Sequence, residues 1–173
     1  SPMSRGLGDV YKRQPLQATS KYLDRFPEIE NKRRKKYAAM VSAMDDGVGR
    51  VMNAIKSAGQ EENTIVVFLS DNGGPVHKNG SKNFPLRGGK SDLYEGGIRV
   101  PFAMQWKGKI KKGMEYNYPV SSMDIMGTIC EIAGVKTKNK LDGVNLLPFL
   151  KTKNKAMPHD VLFWRKWEQN AMA

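Results

Sequence analysis

Residues 63–74 read N-T-I-V-V-F-L-S-D-N-G-G, and they carry the strongest signal for the fold class. Five apolar residues follow one another without alternation from Ile65 to Leu69, a pattern typical of a strand buried on both faces of a parallel sheet. Asp71 and Asn72 come directly after this run, at the carboxyl end of the strand, where open α/β sheets bind their ligands. The stretch therefore predicts an α/β fold in which helices flank a mostly parallel central sheet, with a site beside Asp71.

The side chains of Asp71 and Asn72 are candidate metal ligands, because both offer the hard oxygen atoms that Ca²⁺ and Mg²⁺ bind. The sequence Asp-Asn-Gly-Gly has a second interpretation, since Asx and Gly residues form turns for backbone reasons alone. The tetrapeptide by itself is compatible with both a metal site and a plain turn.

Two further glycine-rich segments follow: P-L-R-G-G-K at residues 85–90 and Y-E-G-G-I-R-V-P at residues 94–101. Paired glycines let a backbone approach another backbone or a ligand closely, and Lys90 lies between two such pairs, where its ammonium group could reach an anion. Together with S-D-N-G-G at residues 70–74, these segments resemble the type I sulfatases of the alkaline-phosphatase superfamily, in particular the arylsulfatase B-like enzymes. The resemblance extends from about Pro15 to Trp167 and implies an incomplete alkaline-phosphatase-like sandwich.

The resemblance also implies a chemistry, in which a calcium ion and a lysine hold the sulfate group while a formylglycine hydrate attacks sulfur. It implies that Asp71 and Asn72 supply two calcium ligands and that Lys90 contacts the sulfate as a catalytic and substrate-binding residue. His77, in the polar loop that follows, is a candidate substrate contact, although a single loop histidine is also compatible with a solvated side chain. The implied substrate is a sulfated carbohydrate or an aryl sulfate, and the implied location is periplasmic, extracellular or lysosomal.

The sequence lacks three features of the family pattern, one of which is a pair of aspartates that the family contributes near its N-terminus and that has no counterpart here. Sulfatases make formylglycine from a C/S-x-P-x-R motif, whereas Cys130, the only cysteine, stands in I-C-E-I-A-G and no such motif occurs. The general-acid histidine of the family lies two residues before the proline of a P-L-Q-x-x-x-x-Y-L segment, and that position holds Arg13. We therefore interpret residues 15–173 as a partial sulfatase catalytic domain without the nucleophile, and residues 1–14 as a non-native or disordered leader.

Two other functions stay open. The first is a phosphoesterase or phosphonate hydrolase of the same superfamily, with a different nucleophile. The second is a non-catalytic module that binds polyanions, because 29 Lys and Arg against 17 Asp and Glu give a net charge of +12. Nucleic acid is not an expected partner, since no aromatic residues alternate with the lysines as a base-stacking groove requires. No apolar run approaches the roughly 20 residues of a membrane span.

A long helix is predicted over residues 30–58, because apolar side chains recur there at intervals of three and four. Gly59 suits the left-handed residue that closes such a helix. The helix is expected to pack on one face of the central strand. Asp45 and Asp46 are adjacent and cannot both face the core, and we expect Asp45 to lie inside the fold and Asp46 in solvent.

The remaining elements are predicted from shorter signals. Residues 99–106 read as a second strand, and a helix is expected from Met123 to the glycine at position 134. Residues 161–167 read as a late strand. With one cysteine, an internal disulfide is excluded.

Overall fold

The computed structural model describes residues 16–151, 156–166 and 169–172. The interpretations of residues 1–14 and of Arg13 lie outside the described residues. The helices and strands, in chain order, are α1 (Ser20–Leu23), α2 (Lys32–Ser57), β1 (Val66–Leu69), α3 (Val76–Asn79), α4 (Glu95–Ile98), β2 (Phe102–Gln105), α5 (Met123–Ile132), α6 (Leu147–Lys151), β3 (Phe163–Lys166) and β4 (Gln169–Met172).

Helix α2 confirms the long helix predicted over residues 30–58. It begins at a side-chain cap, because the Oδ1 atom of Asn31 accepts a hydrogen bond of 2.9 Å from the backbone N–H of Arg34. It ends where Gly59 takes a left-handed φ of 66°, which costs glycine little. Its principal contacts among the described elements are with α1 and α3, so the predicted packing of this helix on the face of the central strand is not confirmed.

An ion pair joins the segment after α1 to α2 and reverses the roles expected for two aspartates. Arg25 donates to both carboxylate oxygens of Asp46, at 3.1 and 2.9 Å, and to the hydroxyl of Ser42 at 2.8 Å. The hydrogen bond from Arg25 holds the pKa of the Asp46 carboxyl below its usual value. Asp45 is exposed, so the prediction that it lies inside the fold was wrong. The basic partner on this side of the helix, Arg25, binds the neighbouring Asp46 instead.

Strand β1 pairs with β2 in antiparallel register, from Val66 opposite Gln105 to Leu69 opposite Phe102. Both predicted strands are therefore present, but the mostly parallel central sheet is not confirmed among the described residues. The segment between β1 and β2 starts and ends at the carboxyl end of β1, so β2 returns antiparallel beside it. Strands β3 and β4 form a second antiparallel pair, and β3 confirms the strand predicted over residues 161–167.

Helix α5 confirms the helix predicted from Met123 and ends before Gly134, whose φ is 64°. Cys130 lies half-buried in this helix as a free thiol, with its Sγ atom 3.7 Å from a methionine sulfur. The fully buried Thr128 accepts a hydrogen bond of 3.0 Å on its Oγ1 atom from the backbone N–H of Leu146. No helix in the described part of the chain is long and apolar enough to span a membrane.

The buried carboxylate of Asp124 ties α5 to the segments that follow it. Its oxygens accept hydrogen bonds from the backbone N–H of Ser121 at 2.7 Å and of Val144 at 2.9 Å. The Nε2 atom of His159 lies 2.9 Å from both oxygens, and the side chain of His159 is only 10% exposed. One carboxylate thus holds together three stretches of chain that are up to 38 residues apart in sequence.

Candidate active site

Asp71 and Asn72 lie where the sequence predicted, directly after the carboxyl end of β1. Both line a broad cleft, whose wall continues through Ser91 and Asp92. Asp71 is exposed, whereas Asn72 is half-buried and its Nδ2 atom donates to the carbonyl oxygen of Gly73 at 2.9 Å. The amide nitrogen of Asn72 is thus used within the loop, and its amide oxygen is the atom that could bind a cation.

Three glycine pairs pack backbone against backbone behind these two residues. The N–H of Gly73 donates to the carbonyl of Gly97 at 2.9 Å, and the N–H of Gly96 donates to the carbonyl of Arg87 at 2.7 Å. A Cβ atom at Gly73 would overlap the carbonyl oxygen of Gly96, and one at Gly97 would overlap that of Asp92. The close backbone approach predicted for the paired glycines is therefore confirmed.

Lys90 belongs to the loop that is hydrogen-bonded to the Asp71–Gly74 loop. Its backbone N–H donates to the carbonyl oxygen of Gly74 at 3.3 Å. Its side chain is exposed and is not among those that line the cleft beside Asp71 and Asn72. The fold thus brings the backbone of Lys90 to the predicted metal loop, and the role of its ammonium group stays a prediction.

His77 lies on the short helix α3, with an exposed side chain that is not part of the cleft wall. Its carbonyl oxygen accepts a hydrogen bond of 3.0 Å from the guanidinium of Arg33. Arg34 donates in the same way to the carbonyl of Gly80, at 3.1 Å. Two arginines of the basic run at residues 32–36 therefore fasten α2 to the loop after β1, and the substrate contact of His77 stays a prediction.

Asn83 joins the two loops through its side chain, and the sequence carried no signal for this role. Its Oδ1 atom accepts from the N–H of Gly74 at 3.0 Å, and its Nδ2 atom donates to the carbonyls of Gly74 and Gly88, both at 2.9 Å. The Oδ2 atom of Asp92 accepts from the N–H of Gly89 at 2.8 Å and supports the same turn. In the sequence, an asparagine in a polar loop cannot be told apart from an ordinary turn residue, so these contacts could not be predicted.

The donor set is suited to a hard cation but is small. Ca²⁺ takes six to eight oxygen ligands, and Asp71 with Asn72 would supply two of them. Within the described residues, no group of three or more His, Cys, Asp and Glu side chains is placed to hold a metal. The two oxygens thus fit part of a calcium site that needs further ligands.

Tyr116 lies on another part of the cleft wall. Its hydroxyl donates to the carbonyl of Ala156 at 2.9 Å, and its ring packs edge-on to that of Tyr118, with the ring centres 5.6 Å apart. Burial raises the pKa of the Tyr116 phenol, so the group is a neutral hydrogen-bond donor in this wall.

Comparison with known proteins agrees with this geometry. Residues 11–135 match the model of the sulfatase family. The chain is 41% identical over 134 residues to an uncharacterized sulfatase, YdeN, of Escherichia coli K12, covering 74% of this chain and 23% of that protein. It is 36% identical over 136 residues to the steryl-sulfatase of Rattus norvegicus, covering 73% of this chain and 24% of that protein. The chain thus spans about a quarter of the length of these relatives.

Two solved structures share the fold. Ps i-CgsB, crystallised in complex with k-i-k-neocarrahexaose, is 39% identical with a TM-score of 0.82, over 92% of this chain and 36% of that one. BT4656, in complex with its substrate D-glucosamine-2-N,6-O-disulfate, is 26% identical with a TM-score of 0.57, over 78% of this chain and 27% of that one. The predicted α/β, alkaline-phosphatase-like class is confirmed at this level. From its glycine-paired loops, its family match and its structural relatives, the chain belongs to the sulfatase family.

Proposed function

We propose that this chain supplies the calcium- and sulfate-binding part of a sulfuric ester hydrolase that acts on sulfated carbohydrates or aryl sulfates. The observation that carries the proposal is a backbone hydrogen bond between two loops. One loop contains the Asp71–Gly74 sequence and the other carries Lys90. The sugar ligands of Ps i-CgsB and BT4656 support the carbohydrate class.

In this proposal the residues of the chain bind and orient the sulfate group. Asp71 and Asn72 would hold Ca²⁺, and the bound ion would oppose the negative charge on the sulfate and its transition state. Lys90 would place its ammonium group against a sulfate oxygen, where a fixed positive charge stabilises the charge that develops. No C/S-x-P-x-R motif occurs in the sequence, so the nucleophile would come from the rest of the catalytic domain.

The surface of the described residues supports a role as part of a larger domain. Among the described residues, the buried apolar side chains are Ala39, Leu146, Leu147 and Leu162. Along α2, by contrast, large apolar side chains are exposed by 37 to 58%: Val41, Met44, Val48 and Val51. An exposed apolar stripe at helical spacing is typical of a surface that another part of a protein covers. Here, that polypeptide would be the remainder of a sulfatase catalytic domain.

A hybrid enzyme tests the proposal. In it, the matched 92% of this chain replaces the corresponding 36% of Ps i-CgsB, which supplies the other parts of the domain. The hybrid is given 4-nitrophenyl sulfate and 4-nitrophenyl phosphate in parallel with Ca²⁺, and 4-nitrophenol is measured. We expect turnover of the sulfate ester by the hybrid and none by this chain alone.

Preferred turnover of the phosphate ester would favour the phosphoesterase alternative. Turnover of the sulfate ester by this chain alone, surviving repurification, would contradict the assignment of the nucleophile to the rest of the domain. If the hybrid shows no turnover but this chain binds heparin, the polyanion-binding module is favoured. The affinity for heparin should then fall steeply with salt.

A further inference from the structure

We propose that Asn83 is a positioning residue, whose single amide group sets the distance between the calcium loop, residues 71–74, and the lysine loop, residues 87–90. The inference rests on the proposed function and extends it to a residue that contacts neither calcium nor sulfate. It assigns to one side chain the alignment of the two charged groups that would act on the sulfate.

The contacts of Asn83 are divided between the two loops. The amide oxygen accepts from the N–H of Gly74 at 3.0 Å, and the amide nitrogen donates to the carbonyl of the same residue at 2.9 Å. The second hydrogen of that nitrogen is directed to the carbonyl of Gly88 in the lysine loop, at 2.9 Å. Both N–H hydrogens and the oxygen of the Asn83 amide are therefore hydrogen-bonded. This planar group, with its fixed angles, spans the gap between the two loops.

The consequences reach the reacting groups through short stretches of backbone. Gly74 lies two residues from Asn72, and Gly88 lies two residues from Lys90. The carbonyl of Gly74 also accepts from the N–H of Lys90, so the position of this one peptide affects both loops. A misplacement of about 1 Å at a reacting group can cost about 10²-fold in rate, which makes this bridge a control point for catalysis.

The test compares two Asn→Asp substitutions in the hybrid enzyme. They differ in whether the amide nitrogen that is lost had joined the two loops. Asn83→Asp keeps the acceptor for Gly74 and places a carboxylate oxygen against the carbonyls of Gly74 and Gly88. Asn79→Asp is the matched control, because the Oδ1 atom of Asn79 accepts from the N–H of Ser81 at 2.9 Å in the same loop and reaches neither Gly74 nor Gly88. Both changes add one negative charge.

Turnover of 4-nitrophenyl sulfate is measured per folded molecule as a function of calcium concentration. We expect Asn83→Asp to lower kcat about 10²-fold and to raise the calcium concentration that gives half-maximal activity. Asn79→Asp should stay within about twofold on both quantities, because the new carboxylate still accepts from the N–H of Ser81. Asn83→Ala, which loses the bridge without adding repulsion between oxygens, should lie between wild type and Asn83→Asp.

Several outcomes would overturn the inference. One is equal behaviour of Asn83→Asp and Asn79→Asp. Another is that Asn83→Asp and Asn83→Ala lower only the yield of folded protein, or do not fold at all, because the residue would then serve folding and not alignment. Asp71→Ala separates this inference from the proposed function: if its calcium dependence equals that of wild type, the calcium assignment itself is wrong.

Discussion

The backbone N–H of Lys90 donates to the carbonyl oxygen of Gly74 at 3.3 Å. This bond joins the end of the lysine loop, residues 87–90, to the end of the calcium loop, residues 71–74. Because Asp71 and Asn72 belong to that loop, the candidate cation ligands and the candidate sulfate contact rest on one connected piece of backbone. The proposed site is therefore held by main-chain bonds in addition to the side chain of Asn83, and it needs glycines where the backbones come into contact.

Removing the candidate metal ligands should weaken calcium binding in a graded way. In the hybrid enzyme, Asp71→Ala removes a charged ligand, so calcium affinity and sulfate release should fall together. Asn72→Ala removes a neutral ligand and should cost less calcium affinity. Titration calorimetry with Ca²⁺ measures the first quantity, and Asp45→Ala, which changes an exposed carboxylate on α2, is the control. Equal calcium affinity in Asp71→Ala and Asp45→Ala would contradict the ligand assignment.

A methyl group at Gly73 should disrupt the packed glycine pairs. Its Cβ atom would overlap the carbonyl oxygen of Gly96, and relief of such an overlap typically costs about 1–3 kcal/mol. We expect Gly73→Ala to lower the thermal unfolding midpoint of the hybrid and to abolish turnover. Gly49→Ala is the matched control, because no atom lies within 4 Å of its Cβ position and the residue is helical. An unchanged midpoint in Gly73→Ala would show that the backbones are not in contact.

The pair of Arg25 and Asp46 should contribute to stability in a pH-dependent way. Because the pKa of Asp46 is lower in the folded state than in the unfolded state, its contribution is present above the unfolded value. It is lost as pH falls through the lower folded value. Asp46→Asn should therefore lower the urea midpoint of the hybrid at pH 7, by a small amount since the pair is largely exposed, and the difference should shrink as pH falls below the usual aspartate pKa of about 3.9. A difference that grows on acidification would contradict this account.

The elements that could be predicted from the sequence are those with local causes. Helices α2 and α5 follow from long apolar periodicities, and their ends follow from Gly59 and Gly134, which take the left-handed φ that the C-terminus of a helix requires. The position of Asp71 and Asn72 follows from the apolar run before them.

The features that could not be predicted depend on partners distant in the chain. The apolar run of β1 indicates burial but does not show which strand pairs with it. The antiparallel pairing with β2 depends on the path of the roughly 30 residues that connect the two strands. The bond of Arg25 to Asp46 spans 21 residues, and that of His159 to Asp124 spans 35. Asn83 is an ordinary loop residue until Gly74 and Gly88 are brought beside it.

Lys90→Ala in the hybrid enzyme shows whether Lys90 and the calcium ligands act on one sulfate group. Calcium affinity and the kcat for 4-nitrophenyl sulfate are measured on the same preparation, with Lys82→Ala, an exposed lysine of the polar loop, as the control. We expect Lys90→Ala to keep wild-type calcium affinity and to lose about 10²–10³ in kcat, the usual cost of one preorganised electrostatic contact. A kcat/KM within about twofold of wild type, as expected for a surface lysine, would remove Lys90 from the site and contradict the account.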